Sequence, residues 1–404
     1  MSIKFLYSPN KIENIEDIPL NFQNDVYWKP FDSRSIEYVN VISREILAYP
    51  GIKEFPDLVA LGYWFRKTNV SRLEKLYQNN QFRLGRGLAF HIAPGNVDTL
   101  FVYSFLLSLL AGNINIIRIS QNESEQLNIL INIFNKVLST SSLGASERFI
   151  ILTYPRDEKY TQEISKYCDL RIIWGSDETV DAISLIPLKP KAVELKFPNR
   201  KSYSAINLES LSKLDDIGVK KLAKAFCNDV SIFGQQACSS PTALFFVGNK
   251  KLISESERFW QCVQDVQIIQ QTSSGIMSRL VSATSMTIDG AISSLRESIK
   301  YENISVALGN FKSKTNFRDN HFGDGFIVQY NIESLSDLIE HIEEVDQTLS
   351  VFGFSNHDIL EFLNSIDRSG IDRIVPIGNA LDFNHIWDGF DLIELMSRRI
   401  YFNK

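Results

Sequence analysis

The stretch that most constrains this chain lies between residues 87 and 119. Gly87–Ile92 is a short apolar run that reads as a strand, and Ala93–Asn96 reads as a turn. Val97–Ala111 is apolar all round, as a buried helix is, Gly112–Asn113 closes it, and Ile114–Ile119 is a second strand. A strand–helix–strand unit of this length fits a parallel crossover, since parallel neighbours cannot be joined by a hairpin. The alternation then continues. Glu125–Leu138 reads as a helix, Phe149–Thr153 as a strand, Lys159–Tyr167 as a helix and Leu170–Trp174 as a strand, and Gly175–Ser176 opens another helix. Such a rhythm predicts a doubly wound α/β sheet.

The flanks are less regular. Residues 1–30 look irregular, while Ser33–Leu47 and Phe55–Tyr77 carry helical spacing. After a mixed segment, Lys189–Asn207, come a helix at Leu211–Asn228, a strand at Ala243–Val247, a helix at Ser254–Asp265, β-rich material over 300–330 and a helix at Leu335–Glu344. This second half reads as another α/β unit. A chain of 404 residues is too long for one ordinary domain. The expected division is a first domain at 1–206, with 380–404 packing back onto it, and a second at 207–379.

Charge and composition exclude several classes. The net charge of −6 argues against a nucleic-acid grip, which wants a basic stripe, and no Lys/Arg cluster suits a polybasic membrane anchor. Leu100–Ala111 is far shorter than the ~20 residues of a membrane span. The N-terminus lacks a signal-peptide shape, and the four scattered cysteines form no CxxC, so a reducing, cytoplasmic setting is expected. The five histidines form neither HxxxH nor HxH, so no metal site is expected, and a GxSxG elbow is absent.

Three short stretches could carry chemistry. Ala93-Pro94-Gly95-Asn96 joins a strand to a helix, where amide groups and the Asn96 side chain can meet an anion or a developing oxyanion; the same residues also make a plain turn with an Asn cap. Gly175-Ser176-Asp177-Glu178 follows a strand and suits a pyrophosphate, but its acids equally suit a helix N-terminus, and no GxGxxG is present. In GQQACSSP (234–241), Cys238 stands among small and polar residues, unlike a packed cysteine; Cys168, Cys227 and Cys262 have the neighbours of structural ones.

Taken together, LAFHIAPGNVDTLFVYSFLLSLLAGNINIIRIS (88–120), RIIWGSDETV (171–180), GQQACSSPTALFF (234–246), DRIVPIGNALDFNHIWDGFDLIELMSRRIY (372–401) and the helix LVALGYWFRKTNVSRL (58–73) resemble the aldehyde dehydrogenase superfamily. More closely, they resemble its acyl-CoA reductase branch, the reductase component of the bacterial luminescence fatty acid reductase. The resemblance implies two doubly wound α/β domains with the active-site cleft between them. It implies Cys238 as nucleophile, and Asn96 with the Cys238 backbone N–H as the oxyanion hole. It places Arg118 and Ser120 at the adenosine ribose and Gly175 and Ser176 at the cofactor pyrophosphate. The expected cofactor is NADPH, with Arg118 set to meet a 2′-phosphate. The expected acyl donor is acyl-CoA or an acylated partner protein, in a homo-oligomer or a complex with an acyl-protein synthetase. There are departures. The superfamily's ELGGK segment with its general base is replaced by VELKFPNRKSYSAI (193–206), where Glu194 matches only with a shifted alignment, and the late EEIFGP segment has no counterpart. Thioester hydrolysis needs a base to activate water and reduction does not, so these losses favour an acyl-transferring reductase over a hydrolytic aldehyde dehydrogenase or a non-catalytic scaffold.

Overall fold

The computed structural model describes all residues except 1–2, 10–11, 13, 23–26, 79–81, 96, 141–143, 156–157, 267–271, 296–303, 312–317 and 404. It divides into two compact units, Met1–Asn199 with Phe383–Lys404, and Arg200–Asp382.

In the first unit, strands β1 (Lys4–Tyr7), β2 (Phe82–Gly85), β3 (Leu88–Ile92), β4 (Ile114–Ile119), β5 (Phe149–Thr153), β6 (Leu170–Trp174) and β7 (Val193–Phe197) follow one another along the chain. Six of them form a sheet of order β1-β5-β4-β3-β6-β7, parallel throughout except for β1. β2 pairs instead with Ser397–Ile400, in an antiparallel ribbon that includes the C-terminal segment in this unit. β3, β5 and β6 are buried at every position, which is why they read as continuous apolar runs. The helix Asp98–Leu110 packs on β3 and β4 and is buried nearly all round. From β3 the chain winds outward through β4 and β5, then crosses back to the other side of β3 as β6 and β7. That reversal makes a switch point at the carboxyl ends of β3 and β6, where doubly wound sheets hold ligands.

The second unit contains β8 (Lys201–Asn207), β9 (Pro241–Val247), β10 (Ile292–Leu295), β11 (Ser305–Gly309), β12 (Phe326–Ile332), β13 (Asp346–Phe352) and β14 (Arg373–Pro376). The order is β10-β11-β12-β9-β8-β13-β14, with only β10 antiparallel to its neighbour. Phe226, Leu244, Phe246 and Trp260 fill one face of the sheet and Tyr203, Phe245, Val328 and Tyr330 the other.

The structure corrects several expectations. The join falls at 199/200, not 206/207, because β8 is hydrogen-bonded to β9 and β13 and so opens the second sheet. The mixed segment is two strands in different sheets. The helix expected over 55–77 is two, Pro56–Trp64 and Lys67–Tyr77, because Arg66 is extended and the Asn69 side-chain amide donates to the Trp64 carbonyl at 2.7 Å. The helix expected over 211–228 is also two, with Asp215 capping the second by accepting from Gly218 N at 2.8 Å. Leu335–His341 is a 3₁₀ helix. β1, β13 and the helices Ser273–Ile288 and Asn356–Ser365 were not foreseen.

Candidate active site

At the switch point of the first sheet, the tip of β3 meets that of β4. The Ala93 amide donates to the Arg118 carbonyl at 2.9 Å, and a Cβ on Gly95 would lie 3.3 Å from Ser120 Cβ, so glycine lets the two turns approach. The Ser120 hydroxyl accepts from Asn122 N at 3.2 Å. The Arg118 guanidinium lies 5.3 Å from the centroid of the Tyr154 ring and donates to the Tyr154 carbonyl at 3.4 Å. On the other side of β3, Gly175 N donates to Phe197 O at 3.2 Å, and Ser176 caps the helix Asp177–Ser184 by accepting from Thr179 N at 3.4 Å. Arg118, Ser120, Gly175 and Ser176 thus all sit at carboxyl ends of strands on the two sides of β3. Asn96 lies outside the described residues.

Cys238 belongs to the second unit, in the turn that leads into β9. The chain reaches it through three successive left-handed residues, Phe233 (φ 60°), Gly234 (φ 56°) and Gln235 (φ 62°), a conformation that costs roughly 1–2 kcal/mol for each non-glycine. Gln235 holds this shape in place. Its Nε2 donates to the carbonyls of Pro241 (2.7 Å) and Phe326 (3.0 Å), and its Oε1 accepts from Gly325 N at 2.8 Å. The Asp324 amide donates to Gly234 O at 2.9 Å, and Gln236 Nε2 donates to Phe322 O at 3.0 Å. Gly323 has a left-handed φ of 80°, which favours glycine, and a Cβ there would lie 3.0 Å from the Gly234 carbonyl oxygen. Backbone strain maintained by several converging hydrogen bonds is a mark of functional turns.

The cysteine is fixed from the sheet as well. Ser202 on β8 donates its hydroxyl to Cys238 O at 2.7 Å and accepts from Thr348 N at 3.2 Å. The register slips on both sides of Ser202. Pro241 and Ala243 of β9 pair with Ser202 and Tyr203, leaving Thr242 extra, and Asp346 and Leu349 of β13 pair with Lys201 and Tyr203, leaving two residues opposite Ser202. Such bulges re-aim side chains. Here Gln347 Nε2 donates to Cys238 Sγ at 3.5 Å. Gln347 was missed in the sequence because its strand begins Asp-Gln-Thr and gives no apolar signal.

The cysteines divide by environment. Burial pushes the thiols of Cys168 and Cys227 up to about 12, and burial also raises that of Cys262. Cys238 is half-buried. Glu194, the shifted candidate for a general base, sits near the amino end of β7, paired with the buried Arg171 and with Lys196 at 3.4 Å. Among the described residues, no group of three or more acids, histidines and cysteines could hold a metal ion.

Residues 69–265 match the family model described as Acyl-CoA reductase (LuxC). Across that stretch the chain is similar to the LuxC acyl-CoA reductases. The stretch matching LuxC contains Asn96, Arg118, Ser120, Gly175, Ser176 and Cys238, whereas Gln347 lies beyond it. The long-chain acyl-protein thioester reductase of Aliivibrio fischeri is 24% identical over 297 residues, 72% of this chain and 58% of that protein. The Vibrio harveyi protein of the same name is 21% identical over 302 residues, 72% of this chain and 59% of its own length. The chain therefore spans less than two thirds of these relatives. Aldehyde dehydrogenase 21 of Physcomitrella patens, solved with the product succinate, superposes with a TM-score of 0.67 at 11% identity, over 98% of this chain and 94% of that one. The fold is that of the aldehyde dehydrogenases.

Proposed function

We propose that the protein reduces an acyl thioester to an aldehyde, with Cys238 carrying the acyl group. The observation that carries this is the setting of Cys238. It lies in a strained, multiply anchored turn with an amide donor on its sulfur, while burial makes Cys168 and Cys227 poor thiolates.

The Cys238 thiolate attacks the carbonyl carbon of the donor thioester. A new C–S bond forms to Cys238, and the old one breaks with its electron pair going to the donor sulfur. A thiol with a pKa near ~8.5 leaves with little help from an acid. The motif resemblance assigns the oxyanion to Asn96 and the Cys238 N–H, worth about 3 kcal/mol per donor in comparable sites. The residues at the switch point suit a dinucleotide, with glycines at Gly95 and Gly175 where backbone must come close, hydroxyls at Ser120 and Ser176, and the Arg118 guanidinium for a 2′-phosphate, so NADPH is the cofactor proposed. When bound, the nicotinamide supplies hydride to the thioester carbon. Expulsion of Cys238 then frees the aldehyde. Glu194 is engaged by Arg171 and Lys196, which supports reduction over hydrolysis, for which water would need a base. The names of the relatives support an acylated protein as donor, with acyl-CoA as the chemical equivalent. No helix among the described residues is long and apolar enough to cross a membrane, in keeping with the cytoplasmic location we propose.

The test is intact-protein mass spectrometry after incubation with an acyl donor and no reduced cofactor. Wild-type protein should gain one acyl mass on Cys238, discharged as aldehyde when NADPH is added, and Cys238→Ala should lose both. An acyl mass on Cys168, Cys227 or Cys262, with Cys238→Ala still active, would overturn the assignment.

A further inference from the structure

We propose that Gln347 is a catalytic residue whose side-chain N–H stabilises the Cys238 sulfur as a thiolate, both as it attacks and as it leaves. This rests on Cys238 being the nucleophile. The geometry is specific. Gln347 Nε2 lies 3.5 Å from Cys238 Sγ, and the Gln347 side chain is buried. The Thr348 hydroxyl donates to Gln347 Oε1 at 3.3 Å, which turns the NH₂ end of the amide toward the sulfur. The same strand fixes the backbone of the nucleophile, because Thr348 N donates to the Ser202 hydroxyl that in turn donates to Cys238 O. The bulge opposite Ser202 is what brings Gln347 round to this position.

A neutral thiol is a weak acceptor, so the hydrogen bond from the amide to it contributes little. A thiolate accepts a charge-assisted hydrogen bond, roughly twice as strong as a neutral one. The amide therefore favours the anion, and with it a lower pKa for the thiol. The benefit recurs when the tetrahedral adduct collapses, as the C–S bond breaks and its electron pair returns to sulfur. Gln347 itself does not titrate, so its effect holds across the working pH range. Charged and titratable groups also stand on the neighbouring elements. Asp346 on β13 is bound by Arg318 and Tyr203. Lys201 opens β8, where burial lowers its pKa against the opposing pull of Asp319. His321 is bonded to Phe326 O at 2.6 Å and is kept neutral by burial, and Asp324 lies on the loop bonded to Gly234.

Two variants keep the shape of the side chain. Gln347→Met removes the donor, and Gln347→Glu puts a carboxylate beside the sulfur. The readout is the rate of Cys238 alkylation by iodoacetamide against pH, resolved by peptide mapping, with melting curves to check folding. The wild-type midpoint should lie below the ~8.5 of an ordinary thiol. The Met variant should titrate about one pH unit higher and react about tenfold more slowly at neutral pH, and the Glu variant should titrate higher still. A Met variant with the wild-type midpoint, or a Glu variant below it, overturns the proposal. Acylation of Cys238 is measured separately on the same proteins. If the midpoints differ as expected while no acyl group is accepted, the acyl-carrier reading fails and the thiolate assignment stands. If the midpoints coincide while acylation proceeds, the reverse holds.

Discussion

Arg118 leaves the carboxyl end of β4 with its guanidinium against Tyr154. A planar cation in that place can take a 2′-phosphate in bidentate fashion. Removing a hydrogen bond to a charged group costs about 1.5–3 kcal/mol, or roughly 10- to 100-fold in affinity. Arg118→Ala should therefore raise the KM for NADPH about tenfold or more and change that for NADH little, and Arg118→Lys should recover part of the loss. Steady-state kinetics with both cofactors measures this, and equal losses for the two would remove Arg118 from phosphate recognition. Arg118 was placed by the motif resemblance, and Cys238 was legible as a candidate for a local reason, since it stands among Gly, Ala and Ser where a packed cysteine would have apolar neighbours. Gln235 and Gln347 were not, because what each does depends on partners far along the chain. Gln235 is anchored to Gly325 and Phe326, and Gln347 reaches back to Cys238.

At the scale of elements, apolar alternation revealed the strands buried on both faces and hid those with polar duties. β13 carries Asp346, Gln347, Thr348 and Ser350, all buried, so its sequence resembles a loop although it lies between β8 and β14. Two neighbouring strands, β7 and β8, read as one mixed segment because no linker separates them. The loop after β14 shows a further element-level device. Asp229, on the helix Asp216–Ser231, accepts from Gly378 N at 2.6 Å and Ala380 N at 3.0 Å. Burial pushes its carboxyl up to about 7, with the two amides pulling the other way. The folded state thus holds a proton that the unfolded chain releases above about pH 4, so this group's contribution to stability falls as pH rises from about 4 to about 7. Between those limits the wild type should lose on the order of 4 kcal/mol relative to Asp229→Asn. Urea denaturation of both proteins across that window measures the difference, and parallel pH profiles would show that the carboxyl is ionised throughout.

For the whole molecule, the repeated strand–helix rhythm made the doubly wound architecture readable, and the superposition on aldehyde dehydrogenases extends over nearly the entire chain. Each unit keeps a buried histidine that the mechanism does not use, which gives the molecule a definite response to acid. In the first unit, His91 Nδ1 is 2.9 Å from Ser104 Oγ and Nε2 is 3.0 Å from Asn115 Oδ1. Burial lowers its pKa to about 4 from the usual 6.5, although the bond to Asn115 acts in the opposite direction. The unfolded chain takes up the proton first as pH falls. The stability this group provides is therefore complete above about pH 6.5 and is lost as pH falls through the window down to about 4, by on the order of 3 kcal/mol. Four of the five tryptophans, Trp28, Trp64, Trp174 and Trp387, lie in the first unit, and Trp260 lies in the second. In a Trp260→Phe background, fluorescence therefore reports the first unit alone. Its urea midpoint should drop steeply between pH 6.5 and 4, and adding His91→Gln should flatten that drop while lowering stability at neutral pH. If the two proteins show the same slope, His91 is protonated in the folded state, and the neutral bridge between Ser104 and Asn115 is wrong.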